Sequence, residues 1–351
     1  MCSAFGQSQI TAAIKKLQAL HVDDIDFRVP AKLAVLHNQL KHELRDFIID
    51  ALDRNADVQA ELLRAGVRIG SEQERTSYGQ IYNVKVDWNP NGLSTWAAFT
   101  TTLGVSCGED SSLYLLEREG DAWQLRFSME SDFHKDVGTA QGEFQYAVSQ
   151  AGPAGHFFVV GANVSPWCSS SWHQLRYQAY AIQALSAPSK VLGQTTSIFL
   201  DGDPPYKLST QNHVFTLEFT AASHSPEDRT HVISYSVDDN SATRVPPIAL
   251  KPGDFVDEWM TLPWTEAKRW SAEGLEDWHR RFKLFDQISF VQRCKGMRDE
   301  WQIGLAIENN QRELYLTVIR KDGDFYLQSI DAKRPPGCPG RTPAWKDQTH
   351  E

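Results

Sequence analysis

Alternating apolar and polar residues between positions 142 and 200 predict four consecutive β-strands. Phe144, Tyr146 and Val148 alternate with polar residues, which is the pattern of a strand with one buried face. The run at 157–162 is apolar throughout, which is typical of a strand covered on both faces. Turn residues separate the segments. The predicted strands lie at residues 144–148, 157–162, 175–179 and 190–200.

The same order of strands recurs three more times, beginning at Tyr82, Tyr206 and Ile288. The third strands of the four units begin near residues 113, 175, 232 and 314, so the unit recurs about every 50 to 60 residues outside one longer interval. Antiparallel four-stranded units in series predict a mainly β, β-propeller-like fold. A β-sandwich is the alternative, because all antiparallel hairpins alternate in this way.

The third unit is predicted to end in an unusual strand, Val245–Ile248. This segment contains Pro246 and Pro247, which have no backbone N–H to donate. Proline is excluded from paired central strands, so this strand is expected at the edge of its sheet.

The first 69 residues show helical periodicity. Apolar residues at helical spacing predict one helix near residues 10–17 and a second after Pro30, with Lys41 assigned to its polar face. A third helix is predicted to begin at an Asn55 N-cap and to end at Gly66. These helices either cover an end of the β domain or form a small helical module.

A second helical pattern, at residues 253–285, lies in the third and longest of the intervals between the repeated units. Pro263 is predicted to begin one helix and Gly274 to end it, and a second apolar stripe starts at Leu275. The predicted organisation is a helical segment at 1–69, a repeated β domain at 70–330 with this insertion, and a disordered tail at 331–351.

Charge limits the classes of partner. The 351 residues carry a formal net charge of −10, which argues against a nucleic-acid partner because such proteins present a basic face. An acidic, self-repelling surface favours solubility. No apolar run reaches the eighteen or so residues that a membrane-spanning helix needs, so no span is predicted.

The five cysteines are scattered without the paired spacing of a zinc site. Cys107 and Cys168 occupy the same turn, between the second and third strands, in adjacent units. This correspondence predicts a disulfide between them, with two independent buried thiols as the alternative. The opening Met1–Gly6 is interpreted as a leader remnant or an ordinary terminus. The first interpretation, together with the disulfide, favours an extracytoplasmic location.

Tryptophan is concentrated in the helical insertion, at Trp259, Trp264, Trp270 and Trp278. Exposed tryptophans can form a sugar-stacking platform or a protein-contact patch. The alternative is that amphipathic helices use large side chains to seal the β domain, and the helical spacing favours it.

Carboxylates in the same insertion form the second candidate site. Asp254, Asp257 and Glu258 suggest the pair of carboxyl groups that glycosidases use, where separation in space decides the mechanism. With 45 acidic residues in the chain, some clustering is expected by chance.

Three loops complete the list of candidates and are interpreted as turns. The loop 165–173 combines Cys168 with His173, while 132–136 and 201–203 carry carboxylates too few for a calcium site. Nucleotide-binding, serine-hydrolase and zinc-protease motifs are absent from the sequence, so neither a cofactor nor a metal is predicted.

These observations favour a non-catalytic binding or protein-interaction module whose partner is an unknown protein or a glycan. The alternative is a carbohydrate-active hydrolase with carboxylates at one end of the strands. No motif names a reaction, so the sequence leaves open whether the chain is an enzyme.

Overall fold

The structure is a computed structural model. It describes residues 3–20, 28–70, 78–132, 136–167, 169–183, 186–200, 204–221, 229–282, 287–293, 300–307 and 312–333. None of the helices in these ranges is both long and apolar enough to cross a membrane.

Four antiparallel, four-stranded sheets follow one another along the chain. The first contains β1 Ile81–Trp88, β2 Trp96–Val105, β3 Gly108–Glu119 and β4 Ala122–Met129. The second contains β5 Gly142–Val148, β6 Phe157–Val164, β7 Trp172–Ile182 and β8 Ser189–Phe199. In both sheets each strand pairs with the next one in sequence.

The third and fourth sheets keep this plan. They contain β9 Tyr206–Gln211, β10 Val214–Ala221, β11 Arg229–Val237 and β12 Ala242–Arg244, then β13 Gln287–Arg293, β14 Glu300–Ile307, β15 Arg312–Lys321 and β16 Asp324–Asp331. The prediction of a mainly β fold with four-stranded antiparallel units in series is confirmed. Their arrangement as a propeller or as a sandwich stays a prediction.

The last strand of the third sheet differs from its prediction. It is the three-residue β12, which does lie at an edge, whereas Val245–Ile248 forms no strand. Val245 still donates its N–H to the carbonyl of Ser234 at 2.9 Å. Pro246 and Pro247 have no N–H with which to continue the ladder, so pairing ends there.

Six α-helices in the described ranges lie outside the sheets: α1 Ser3–Gln18, α2 Ala31–Asp53, α3 Val58–Arg64, α4 Pro252–Thr261, α5 Trp264–Ala267 and α6 Glu276–Phe282. The third helix ends beside Gly66 as predicted, but Asn55 is not its N-cap. Asp57 is the cap and accepts from the N–H of Ala60 at 3.0 Å. Asn55 instead has a positive φ of 51°, in the turn after α2.

The chain divides into two compact units. Unit 1 comprises 1–200, 208–215 and 236–242, and unit 2 comprises the remaining residues. In unit 1, α1 to α3 and the first sheet share one hydrophobic cluster, which includes Leu40, Leu44, Phe99 and Leu116. The predicted helical segment therefore covers a face of the first sheet.

A second cluster of unit 1 lies between the first and second sheets. It contains Ala98, Leu115 and Phe127 of the first sheet with Val159 of the second. Gly161 in β6 allows close packing here, because a Cβ on this residue would overlap the Sδ of Met129. The strand β6 is buried along its whole length, and these contacts cover the face that carries Phe157 and Val159.

Unit 2 has its own core. The helices α4 and α5 pack their apolar residues against the fourth sheet, where Leu316, Val318, Phe325 and Leu327 are buried. A helical insertion is therefore present where predicted, and Pro263 caps the start of α5, but an additional helix, α4, begins at Pro252 and was not predicted. Pro252 at the first helical position and Asp254 in the first turn are ordinary signals of a helix start.

Candidate functional site

The three carboxylates singled out in the sequence all lie on α4 and are all buried. Asp257 is 1% exposed and Glu258 is 2% exposed. Glu258 accepts from Arg229 of β11 at 3.1 Å and from Arg244 of β12 at 3.0 Å. Arg229 also forms an ion pair with Asp257 at 2.8 Å. We call this group the α4 ionic cluster.

A histidine and the backbone of Asp254 complete the α4 ionic cluster. Arg229 donates to Nδ1 of His231 at 2.8 Å, and Nε2 of His231 lies 3.1 Å from Glu258. Burial, with help from Arg229, lowers the pKa of His231 to about 2, so its ring is neutral and Nε2 carries the proton that it donates to Glu258. Asp254 contributes its backbone carbonyl to Arg229 at 3.1 Å.

Burial is the largest influence on the pKa values of Asp254 and Glu258 in this cluster. It raises the pKa of Asp254 to about 6, against the opposing effect of Arg229. It also raises the pKa of Glu258, although Arg244 and Arg229 both act to lower it. The arrangement fixes α4 to β11 and β12 by paired charges, as buried ion pairs require. Its role as a catalytic pair stays a hypothesis.

The four tryptophans lie mainly within the core of unit 2. Trp259 is fully buried and donates its indole N–H to Ser271 at 2.6 Å, and Trp270 is also buried. Trp264 and Trp278 are partly buried and pack against the same cluster. This geometry favours the interpretation that large side chains seal the helices onto the sheet. A ligand-binding role stays a prediction.

A second buried ionic cluster, in unit 1, was missed in the sequence. Asp110 of β3 lies 2.6 Å from Nζ of Lys41 and 2.9 Å from Nε2 of His37, both on α2. Ser131 donates to the same carboxylate oxygen at 2.9 Å, and the N–H of Gln141 donates to the other at 3.0 Å. We call this group the Asp110 cluster.

The placement of Lys41 on the polar face of α2 was therefore wrong. Lys41 is 1% exposed, because its ammonium group meets Asp110 inside the packed face. The available signal was the spacing of four residues between His37 and Lys41, which places them on one face of the helix. His37 is fully buried beside Lys41 in this cluster.

An open groove lies on the outer two strands of the second sheet. Its volume is about 530 Å³, and its lining is Arg176 and Gln178 of β7 with residues 190–195 of β8. The strand β8 is an edge, and most of its residues are exposed or partly exposed. We call this feature the β7–β8 groove; no sequence motif predicted it.

Cross-strand pairing places a defined row of side chains on the face of the groove. Arg176 pairs with Thr195 and Gln178 pairs with Gly193. Antiparallel partners share a face of the sheet, so these groups lie side by side. Lys190 is folded over Gly193, where an ideal Cβ would lie 2.7 Å from its Cε and 2.9 Å from its Nζ.

An aromatic pair continues the same face beyond Gln174. Trp172 pairs with Phe199 across β7 and β8, and their ring centroids are 5.1 Å apart. Trp172 is 42% exposed, so part of its ring is accessible to a ligand. The face thus offers an aromatic surface at one end and amide, guanidinium and hydroxyl groups along its length.

The remaining candidates are placed as follows. Cys107 is disulfide-bonded, while Cys168 and the three other cysteines lie outside the described residues. The pairing of Cys107 with Cys168 stays a prediction. The ring nitrogens of His173 lie 2.9 and 2.7 Å from the carbonyl oxygens of Ser165 and Ser170, so this ring braces its loop.

The acidic loops fall largely outside the described ranges, which omit 133–135 and 201–203. Within those ranges, no group of three or more histidine, cysteine, aspartate or glutamate side chains is arranged to hold a metal ion.

Comparisons with known proteins add little to this geometry. No protein-family model and no curated protein matches the chain. Among solved structures, it is similar to an α-L-arabinofuranosidase from Lactobacillus brevis, with 9% identity over 73% of this chain and 68% of that one and a TM-score of 0.23. It is also similar to RS223-β-xylosidase, with 8% identity, 72% and 78% coverage and a TM-score of 0.24. Similarity at this level carries no argument about function.

Proposed function

We propose that the chain is a non-catalytic carbohydrate-binding module whose ligand occupies the β7–β8 groove. The observation that carries this proposal is the exposed polar face of β7 and β8 with Trp172 at one end. Sugars present hydroxyl groups at their edges and apolar C–H groups on their faces. Amide and guanidinium groups hydrogen-bond the former, and an aromatic ring packs on the latter.

The dimensions and position of the groove suit such a ligand. Its volume of about 530 Å³ falls within the usual range of roughly 300 to 1,000 Å³ for small-molecule sites. Its open form would admit part of a longer chain and leave the rest in solvent. Gly193 has no side chain opposite Gln178, and the end of Lys190 lies in the space that this leaves.

The described lining of the groove has no acidic residues, which supports a binding role without catalysis. Glycosidases use two carboxyl groups that flank the scissile bond in an open site. The described lining of the β7–β8 groove includes no aspartate or glutamate. The carboxylates of α4 are buried, and Asp257 and Glu258 are engaged by arginines.

Titration against a glycan panel tests the proposal. Isothermal titration calorimetry on the full chain should detect at least one soluble oligosaccharide or polysaccharide, and Trp172→Ala should weaken that binding. A ligand present at a hundred times its Kd should also stabilise the protein by about 2.7 kcal/mol in a thermal scan. Trp88→Ala is the matched control, because Trp88 is 57% exposed but lies in the first sheet.

Two results would contradict the proposal. One is the failure of every glycan to bind or to shift the thermal transition. The other is equal loss of binding in the Trp172→Ala and Trp88→Ala variants, which would show that the β7–β8 groove is not the site.

The hydrolase alternative depends on Asp254. Its raised pKa, to about 6, suits a general acid near neutral pH. If the chain hydrolyses glycosides, Asp254→Asn and Glu258→Gln should each abolish turnover of chromogenic substrates while glycan binding by the groove remains. Hydrolysis that is unchanged in both variants would exclude these carboxylates as the catalytic pair.

A further inference from the structure

We infer that the ligand of the β7–β8 groove is an acidic polysaccharide, held through its carboxylate or sulfate groups by Arg176 and Lys190. This inference rests on the proposed carbohydrate-binding function and adds the chemical class of the sugar. It is carried by the charges of the groove and by where the two cations lie.

The groove is cationic within an acidic protein. Its lining contains Arg176 and Lys190 and no described acidic residue, although the whole chain has a net charge of −10. Across the described residues, no carboxylate lies within ion-pair distance of either cation. Arg176 donates a long hydrogen bond of 3.4 Å to the side-chain oxygen of Gln174, which carries no charge. Both cationic charges are therefore available to an anion.

The two cations lie close together on the face. Arg176 pairs with Thr195 across the two strands, and the ammonium group of Lys190 is folded over Gly193, which pairs with Gln178. These two cross-strand pairs are two residues apart along β7, which corresponds to roughly 7 Å. Two anionic groups on one sugar chain could therefore be contacted together. A guanidinium group also matches carboxylate and sulfate in bidentate geometry.

The surroundings favour a sugar over other polyanions. Trp172 offers a ring face, and Gln174, Gln178 and Thr195 offer amide and hydroxyl groups that match sugar hydroxyls. An acidic peptide would use only the two cations and the backbone groups at the edge of β8, and not the aromatic, amide and hydroxyl side chains.

Binding of defined polymers by the full chain tests the inference. The probes are polygalacturonate for carboxylate, heparin for sulfate, a neutral β-glucan, and poly-glutamate as an acidic peptide. We expect one or both acidic polysaccharides to bind more tightly than the neutral polymer and more weakly at high salt. Screening at high ionic strength weakens attraction between exposed charges.

Substitutions then locate the binding. Arg176→Gln with Lys190→Gln should weaken binding of the acidic polysaccharide by about tenfold or more, the loss expected from charge-assisted hydrogen bonds. Lys16→Gln with Lys32→Gln removes the same charge from exposed positions on α1 and α2 and should leave affinity nearly unchanged. Gly193→Val keeps every charge but narrows the groove, and it should also weaken binding.

Each contrary outcome has a distinct meaning. Tighter binding of the neutral polymer, sensitive to Trp172→Ala, would overturn the acidic class and keep the proposed function. Equal effects of the two double variants would show that the β7–β8 groove is not the binding site, because the attraction would then depend only on the overall charge of the protein. Binding of poly-glutamate as tightly as the polysaccharides would overturn the inference that the ligand is a sugar. No binding of any glycan would overturn both proposals.

Discussion

Both units bury an ionic cluster between a helix and a sheet, but the two clusters balance charge in opposite ways. In the Asp110 cluster, one carboxylate receives Lys41, His37, Ser131 and a backbone N–H. In the α4 ionic cluster, Asp257 and Glu258 share Arg229 and Arg244, while Asp254 contributes its backbone carbonyl to Arg229. The Asp110 cluster has several hydrogen-bond donors for one carboxylate, whereas the α4 ionic cluster holds three acidic residues and two arginines.

This difference sets the ionisation of the acids. In the Asp110 cluster, Lys41 and His37 overcome the effect of burial and hold the pKa of Asp110 well below its usual range. In the α4 ionic cluster, burial prevails and raises the pKa values of Asp254 and Glu258. Similar burial therefore produces opposite shifts, because Lys41 and His37 outweigh its effect at Asp110, whereas the arginines do not outweigh it at Asp254 and Glu258.

The two clusters should consequently respond to pH with opposite signs. The folded pKa of Asp110 is lowered, so its stabilising contribution is present above an ordinary carboxyl pKa of about 4 and is lost as pH falls. The folded pKa of Asp254 is raised to about 6, so its contribution is present below about pH 4 and is lost as pH rises through 6.

The largest effect is expected from Asp110→Asn. This change leaves the ammonium group of Lys41 buried without its carboxylate, and loss of one partner of a buried pair costs about 3 to 5 kcal/mol. Hydrogen exchange monitored by mass spectrometry should show faster exchange in peptides from α2 and β3. The matched change Glu258→Gln should cost less, because burial raises the pKa of Glu258 and so already destabilises its charged form, and because Asp257 still pairs with Arg229. An equal or greater loss in Glu258→Gln would contradict the comparison.

The disulfide at Cys107 gives the next largest effect. We propose Cys168 as its partner, and the nearby backbone supports this, because a Cβ on Gly108 would lie 3.0 Å from the Cβ of Pro166. A cross-link closing a loop of this length should contribute about 2 to 4 kcal/mol. Cys107→Ser should therefore lower the midpoint of guanidinium unfolding.

Peptide mapping without reduction tests the pairing directly. The expected product is one cross-linked species that contains Cys107 and Cys168 and disappears on reduction. A link from Cys107 to Cys2, Cys294 or Cys338 would show that the proposed pairing is wrong. Hydrogen exchange after reduction should be faster in unit 1 and unchanged in the α4 ionic cluster.

A smaller effect of opposite sign is expected from Asp254→Asn. At pH 7 the ionised carboxylate is destabilised by burial, and a shift from 3.8 to about 6 corresponds to about 3 kcal/mol at most. The variant should therefore be about 1 to 3 kcal/mol more stable than the natural chain at pH 7 and nearly equal to it at pH 4. Urea unfolding at both values measures this. A variant that is less stable at pH 7 would contradict the assignment.

The local pattern of the sequence was enough to predict the sheets. Alternation in the sequence of β5 and the continuous apolar run of β6 each predicted a strand from a few neighbouring residues. Burial is continuous along β6, whereas residues 144–147 of β5 are partly buried on both faces. The same reasoning from the sequence placed the insertion, with Trp264, Trp270 and Trp278, on helices. It failed at β12, which has only three residues and so no periodic signal, and it did not predict α4, which carries Trp259.

The sequence by itself thus determined the order and type of most elements, because side-chain periodicity follows from backbone geometry over short stretches. Only the tertiary structure decided the ionic clusters and the groove. Asp110 meets His37 across 73 positions of sequence, and Glu258 meets Arg229 across 29. Pairings at such separations leave no local pattern, because the cost of burying each charge is offset only by partners that folding brings to it.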